Sequence, residues 1–124
     1  MTDKLRDPII RTVPQPADMN GNGDIFGGWV LSQMDMAGGS LAGRVAKGRT
    51  ATVAITAMTF VEPIKVGDLV SIYGNVSKIG RTSITIELET IVQRRGDDRE
   101  IQVTRGTFVF VAIDNDGKPR PVPQ

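Results

Sequence analysis

The chain has 124 residues, with 15 basic against 14 acidic side chains, no histidine and no cysteine. That length suits one domain with room for one core, and the near-balance of charge argues against a general nucleic-acid or membrane surface. Lacking cysteine and histidine, it has no disulfide framework, no thiolate or imidazole zinc site and no Ser-His-Asp or Cys-His catalysis. Proton transfer near neutral pH falls to a carboxylate, the lone Tyr73, a lysine or water.

The opening MTDKLRDPII has no long apolar run and no cleavage signature. Nowhere does a run approach the ~20 apolar residues of a membrane span, so a cytoplasmic protein is expected. IIRTV, from Ile9 to Val13, predicts a short strand closed by Pro14 and Pro16. A polar loop follows, ADMNGNGDIFGGW, from Ala17 to Trp29. From about Gly27 to Lys47 runs the one strong helical pattern: Val30, Met34, Ala37, Leu41 and Val45 form a single apolar stripe. Gly38, Gly39 and Gly43 are poor helix formers, and their expected role is close approach of another backbone or a ligand. Lys47 falls in the last turn, with Gly48 as C-cap.

Strands follow to the end. RTATVAITAMTFVEP carries apolar groups on both faces and reads as a central strand covered on both sides. DLVSIYGNVSKI and RTSITIELETIVQRR follow, joined at the hairpin signal KIGR. In the second, Ile84, Ile86, Leu88 and Val92 alternate with Thr85, Glu87 and Glu89, giving one buried and one wet face. RRGDDRE reads as another hairpin turn, IQVTRGTFVFVAID as the last long strand, and NDGKPRPVPQ as turn and proline-rich coil. The order is short strand, long helix, four antiparallel strands: an α+β layer arrangement in one domain over 1–124, with a core over 10–114 and a tail over 115–124. One helix covers one sheet face, so a partner chain is expected to complete the burial.

The polar loop admits two chemistries. Asp18, Asn20, Asn22 and Gly23 match the start of a calcium loop, but the twelfth position is Trp29 where a bidentate glutamate is needed, and Pro14 and Pro16 replace the entering helix. No metal site is expected. The glycines do not make a dinucleotide fingerprint, and the phosphate-loop lysine is absent. What remains is a helix start. Gly27 and Gly28 present free N–H groups in the field of the helix dipole, with no side chain to block a ligand carbonyl, which is the physics of an oxyanion hole. The plainer alternative is an acid, Asp24, favoured by the dipole beside turn-making glycines. Asp35, about eight residues into the helix and flanked by Leu31 and Ala42, is expected to be partly desolvated, which raises a carboxyl pKa and suits a base. Its alternative is an ordinary surface acid.

Four blocks, PADMNGNGDIFGGWVLSQMDMAGG, AMTFVEPIKVGDLV, GRTSI and FVFVAIDNDGKPRPVP, occur in order over nearly the whole chain from Ile10 to Pro123. Together they resemble the hotdog-fold acyl-CoA thioesterases of the YciA type. The resemblance implies a long helix wrapped by a five-stranded antiparallel sheet, a dimer with a continuous sheet, and often a trimer of dimers. It implies hydrolysis of acyl-CoA to free acid and coenzyme A, within fatty-acid metabolism. Coenzyme A is then part of the substrate, and no separate cofactor is required. The family's essential acid falls on Asp35, as general base toward water or, less favoured, as nucleophile through an anhydride. The polar residue before the glycine pair, asparagine in some relatives and aspartate in the YciA type, falls on Asp24. Gly27 and Gly28 would polarise the thioester carbonyl. Gly80, Arg81, Thr82 and Ser83 match the segment near coenzyme A, with Arg81 the first candidate for a phosphate contact and a solvated hairpin charge as its alternative. Phe26 stands where many hotdog relatives have histidine, in agreement with the YciA pattern. Met34, Met36, Met58 and Phe60 are candidates for an acyl tunnel or for plain core. A second class stays open: a non-catalytic acyl-CoA-binding module acting as sensor or scaffold.

Overall fold

The computed structural model describes residues 6–124; the first five residues of the expected domain lie outside that range. The elements run β1 (Ile10–Thr12), a 3-10 turn (Pro16–Asp18), α1 (Gly27–Ala46), β2 (Thr50–Phe60), β3 (Leu69–Ile79), β4 (Ser83–Gln93) and β5 (Glu100–Ala112). The strands form one antiparallel sheet in the order β1-β3-β4-β5-β2. The helix lies along one face of it, as the predicted α+β hotdog layer requires.

Period two in the strands meets period 3.6 in the helix along one seam. Val30, Met34, Ala37, Gly38, Ala42 and Ala46 are the buried helix residues. They face Ile72 of β3, Ile84, Ile86 and Leu88 of β4, and Phe108 and Phe110 of β5, all buried. Burying each large side chain contributes about 1.5–3 kcal/mol. The opposite face carries Tyr73, Glu87, Glu89, Arg105 and Thr107, so the predicted alternation in β4 holds. Both predicted hairpins form: Ile79 pairs with Ile84 across the KIGR turn, and Asp97 N–H bonds Arg94 O at 3.0 Å in the next. In that exposed second turn, hydrogen bonds from the Arg99 guanidinium and then the Arg99 backbone N–H hold the Asp97 carboxyl down to about 2.

The expectation for the helix glycines holds in part: a Cβ on Gly43 would lie 3.5 Å from the backbone oxygen of Gly48, but Gly38 has another reason. At Gly38 the close neighbours are side chains: a Cβ there would lie 2.8 Å from the Phe110 ring and 3.0 Å from Leu88. Its missing side chain lets the helix settle directly on the core aromatics. The helix stop also shifts by one residue. Lys47, not Gly48, takes the left-handed cap conformation, with φ 55°. Gly48 instead makes room for Arg120, whose Nη2 donates to Ala46 O at 2.9 Å and satisfies a helix-end carbonyl.

Two further differences matter for function. β2 is not central. It pairs only with β5 and forms an edge of the sheet, and Val53 (58% exposed), Ile55 and Phe60 (56%) stand open. Its apolar pattern on both faces reflects a strand that this chain alone does not cover. The strand is interrupted by register shifts between Thr52 and Ala54 and between Thr56 and Thr59, with Ala57 at φ 53°, so it bends as bulged edge strands do. The tail is turn and coil, as expected, yet it is packed rather than loose. Arg120 N–H bonds Ala112 O, Val122 N–H bonds Arg81 O at 2.8 Å, and Val122 belongs to the core. Among the described residues no helix is long and apolar enough to cross a membrane.

Candidate active site

The polar loop folds on its own side chains. Asn20 Oδ1 accepts the N–H groups of Asn22 (2.8 Å) and Asp24 (3.1 Å), and Asp18 Oδ2 accepts that of Gln15 at 2.8 Å. Two of the oxygens that resemble calcium ligands, on Asp18 and Asn20, thus serve the loop's backbone, and among the described residues no group of three or more acidic side chains is placed to hold a metal ion. The loop is pinned at its end by Phe26 N–H to Asp18 O (3.0 Å) and Ile25 N–H to Ile64 O (2.9 Å). These bonds fix the angle at which the chain enters the helix.

At that entrance Phe26 O already receives the N–H groups of Trp29 and Val30. The Gly27 and Gly28 N–H groups, in the first turn, have no intrahelical acceptor. Both glycines are exposed. A Cβ on Gly28 would meet nothing within 4 Å, while one on Gly27 would lie 3.7 Å from the Phe60 ring. The arrangement is an open pair of donors at a positive helix end beside an aromatic wall. Asp24, one turn earlier, is ion-paired to Lys65 Nζ from the β2–β3 connection.

Asp35 lies seven residues beyond Gly28, about 10 Å along the helix axis. It is half-buried and projects toward β2, where Thr52 Oγ1 donates to its Oδ1 at 2.6 Å. The bond fixes one carboxylate oxygen and leaves Oδ2 without a protein donor among the described residues. The third predicted group, Gly80–Ser83, forms the β3–β4 turn, closed by Gly80 N–H to Ser83 O at 2.8 Å. Its carbonyls are held from behind, Arg81 O by Val122 and Thr82 O by Ala112 N–H (2.9 Å). The Arg81 guanidinium has no hydrogen-bond or ion-pair partner among the described residues and faces solvent.

Within one chain these groups do not meet. Asp24, Gly27 and Gly28 gather at the Phe60 end of β2. Asp35 and the Gly80–Ser83 turn lie toward its Thr52 end, the turn two strands away in the sheet, about 10 Å. Of the tunnel candidates, Met34 is fully buried core and Met58 packs against it, whereas Met36 and Phe60 are exposed along α1 and β2. Sequence reasoning missed Lys65 and Thr52. A lone lysine in EPIKVGD and one threonine among several in β2 carry no signal until the fold sets them against the two aspartates. A cleft of about 430 Å³ on the polar sheet face is lined by Arg6, Tyr73, Glu87, Glu89 and Arg105 among others, and by none of the predicted site residues.

A long helix on a five-stranded antiparallel sheet, with an acid on the helix and an open helix start, defines the hotdog class, and the comparisons agree. Residues 22–97 match the thioesterase superfamily model, and the chain belongs to that family. It is 47% identical over 118 residues to the acyl-CoA thioester hydrolase YciA of Salmonella typhimurium, covering 93% of this chain and 89% of that protein. Among solved structures it is similar to an aspartate-to-alanine mutant of a hexameric broad-specificity acyl-coenzyme A thioesterase, at 45% identity and TM-score 0.92, over 95% of this chain and 87% of that one. It is likewise similar to a hexameric thioesterase from Yersinia pestis, at 44% identity and TM-score 0.91, over 95% and 96% of the two chains.

Proposed function

We propose that the chain hydrolyses acyl-CoA to a free carboxylic acid and coenzyme A, in active sites built from two copies of the chain. One observation carries the reading. The open helix start and the helix acid lie toward opposite ends of one uncovered apolar edge strand. Antiparallel pairing of β2 with its own copy covers Val53 and Ile55 and continues the sheet. It also runs the Phe60 end of one strand toward the Thr52 end of the other. The helix start of one protomer, with Asp24, Gly27 and Gly28, then approaches the partner's Asp35. The Gly80–Ser83 turn comes to the same side from the subunit that supplies Asp35.

In this site the Gly28 N–H, helped by Gly27 and the helix dipole, binds the thioester oxygen and stabilises the negative charge it gains. Asp35, held through Oδ1 by Thr52, uses Oδ2 to take a proton from water as the water attacks the carbonyl carbon. Asp24 orients water or substrate. The C–S bond breaks to give coenzyme A thiolate, a good leaving group that needs no strong general acid, in keeping with a chain without histidine. Arg81 takes a coenzyme A phosphate, with Thr82 and Ser83 as neighbouring donors. The mechanism calls on no metal or separate cofactor. Hexameric relatives support extending the dimer to a trimer of dimers, and a cytoplasmic location completes the reading.

The second reading, a non-catalytic acyl-CoA-binding module, leaves the Thr52-oriented acid without a task. Release of free thiol from a panel of acyl-CoAs of graded chain length separates the two. Turnover of any member above the spontaneous rate supports the hydrolase, and binding of acyl-CoA without thiol release supports the module.

A further inference from the structure

Asp24 poses an electrostatic problem. Its carboxylate, three residues before Gly27 in the loop that leads into the helix start, repels the negative charge that develops on the thioester oxygen. Like unit charges within about 6–10 Å of each other, at the effective dielectric of a partly exposed site, cost about ten- to a hundred-fold in rate. Left loose, the same carboxylate would also compete for the free N–H groups at the helix start. Lys65 answers both difficulties. Its ammonium is ion-paired to Asp24 Oδ1, and it stands on a fixed platform. Lys65 N–H donates to Asp68 Oδ2 at 2.8 Å, and Asp68, 1% exposed, is ion-paired to Arg94 at 3.3 Å. Arg94 Nη2 in turn bonds Pro63 O at 2.7 Å. The Ile25–Ile64 backbone bond ties the two loops together one residue from each partner. The other acid in the polar loop, Asp18, is turned away onto Gln15 N–H.

We infer that Lys65 is a positioning residue for the thioesterase reaction: it balances the charge of Asp24 and holds that carboxylate off the oxyanion-binding N–H groups. The inference rests on Asp24 standing at the thioester as proposed above. Lys65 and Asp24 are both partly exposed, with side chains 47% and 25% accessible, so the pair adds little to folding stability. Its effect belongs to the rate.

The test is a double-mutant cycle on the intact oligomer: wild type, Lys65→Met, Lys65→Arg, Asp24→Asn and Asp24→Asn/Lys65→Met. Each is assayed by thiol release with the acyl-CoA that the wild type turns over fastest. Lys65→Met is expected to lower kcat about ten-fold or more with KM changed less than about three-fold, because the charge develops only in the transition state. Lys65→Arg, which keeps the charge, should retain most of kcat. In the Asp24→Asn background there is no charge left to balance, and losing Lys65 should cost less than about two-fold. A merely structural lysine would cost the same in both backgrounds, and that result overturns the inference. So does an unchanged kcat in Lys65→Met, and so does abolition of turnover by Asp24→Asn alone, since the negative charge would then be required rather than tolerated. Failure of the site reading itself shows elsewhere, as full activity in Asp35→Asn.

Discussion

Replacing Asp35 by asparagine separates chemistry from folding. The amide keeps the side chain's size and keeps an Oδ1 acceptor for the Thr52 hydroxyl, which now donates at 2.6 Å. The bond changes from charge-assisted to neutral, a loss of about 1 kcal/mol when ~1.5–3 kcal/mol becomes ~0.5–1.5 kcal/mol. For a chain of this length that lowers Tm by about 3–5 °C at most. What disappears is the lone pair that takes a proton from water. Loss of a general base typically costs ~10²–10⁴ in rate, about 2.7–5.5 kcal/mol on the barrier. The expected variant is therefore folded, of wild-type oligomeric size, able to bind coenzyme A, and a hundred-fold or more slower. Thiol release under saturating acyl-CoA, with a melting curve on the same sample, reads both quantities. Turnover within a few-fold of wild type would refute Asp35 as the base. A collapse of Tm with the activity would mean that its role is structural.

Arg81→Ala should raise KM for acyl-CoA more than it lowers kcat, because a phosphate contact is the same in ground and transition states. Rising salt should weaken wild-type binding and affect the variant less, whereas an unchanged KM moves the phosphate site elsewhere, toward Arg49 or Lys118. A chelator should alter neither Tm nor activity, since Trp29 stands where a calcium loop needs its bidentate carboxylate. A chelator-sensitive melting curve would restore the calcium reading of the Asp18–Asp24 loop.

The element order was legible from hydrophobic period alone: the stripe from Val30 through Val45 and the alternation in β4 each point to one buried face. The sheet position of β2 was not. An exposed edge strand with apolar groups on both faces has the same pattern as a central strand, because burial by any partner and burial by neighbouring strands select the same residues. The helix stop at Lys47 was hidden because αL geometry normally prefers glycine, and here Gly48 is occupied with admitting Arg120. Within the candidate site, the helix-start glycines and Asp35 could be singled out as candidates because free N–H groups at a helix start and an acid flanked by apolar residues on a helix are readable from backbone and helix physics. Thr52 and Lys65 could not, since their meaning lies in contacts 17 and 41 residues away in sequence.

The claim that each site is shared between two chains is tested most directly by mixing. Asp24→Ala chains, which lose the side-chain oxygen that orients water or substrate and that Asp24→Asn keeps, and Asp35→Asn chains, each nearly inactive alone, are unfolded together and refolded. In a mixed dimer one site receives both intact aspartates and the other receives both substitutions. Random assortment makes about half of the dimers mixed, so the two-fold symmetry argument predicts recovery of about a quarter of wild-type thiol release. If mixed dimers are demonstrated, for instance by differently tagged chains, and the mixture stays as inactive as its parents, the two-chain site is contradicted.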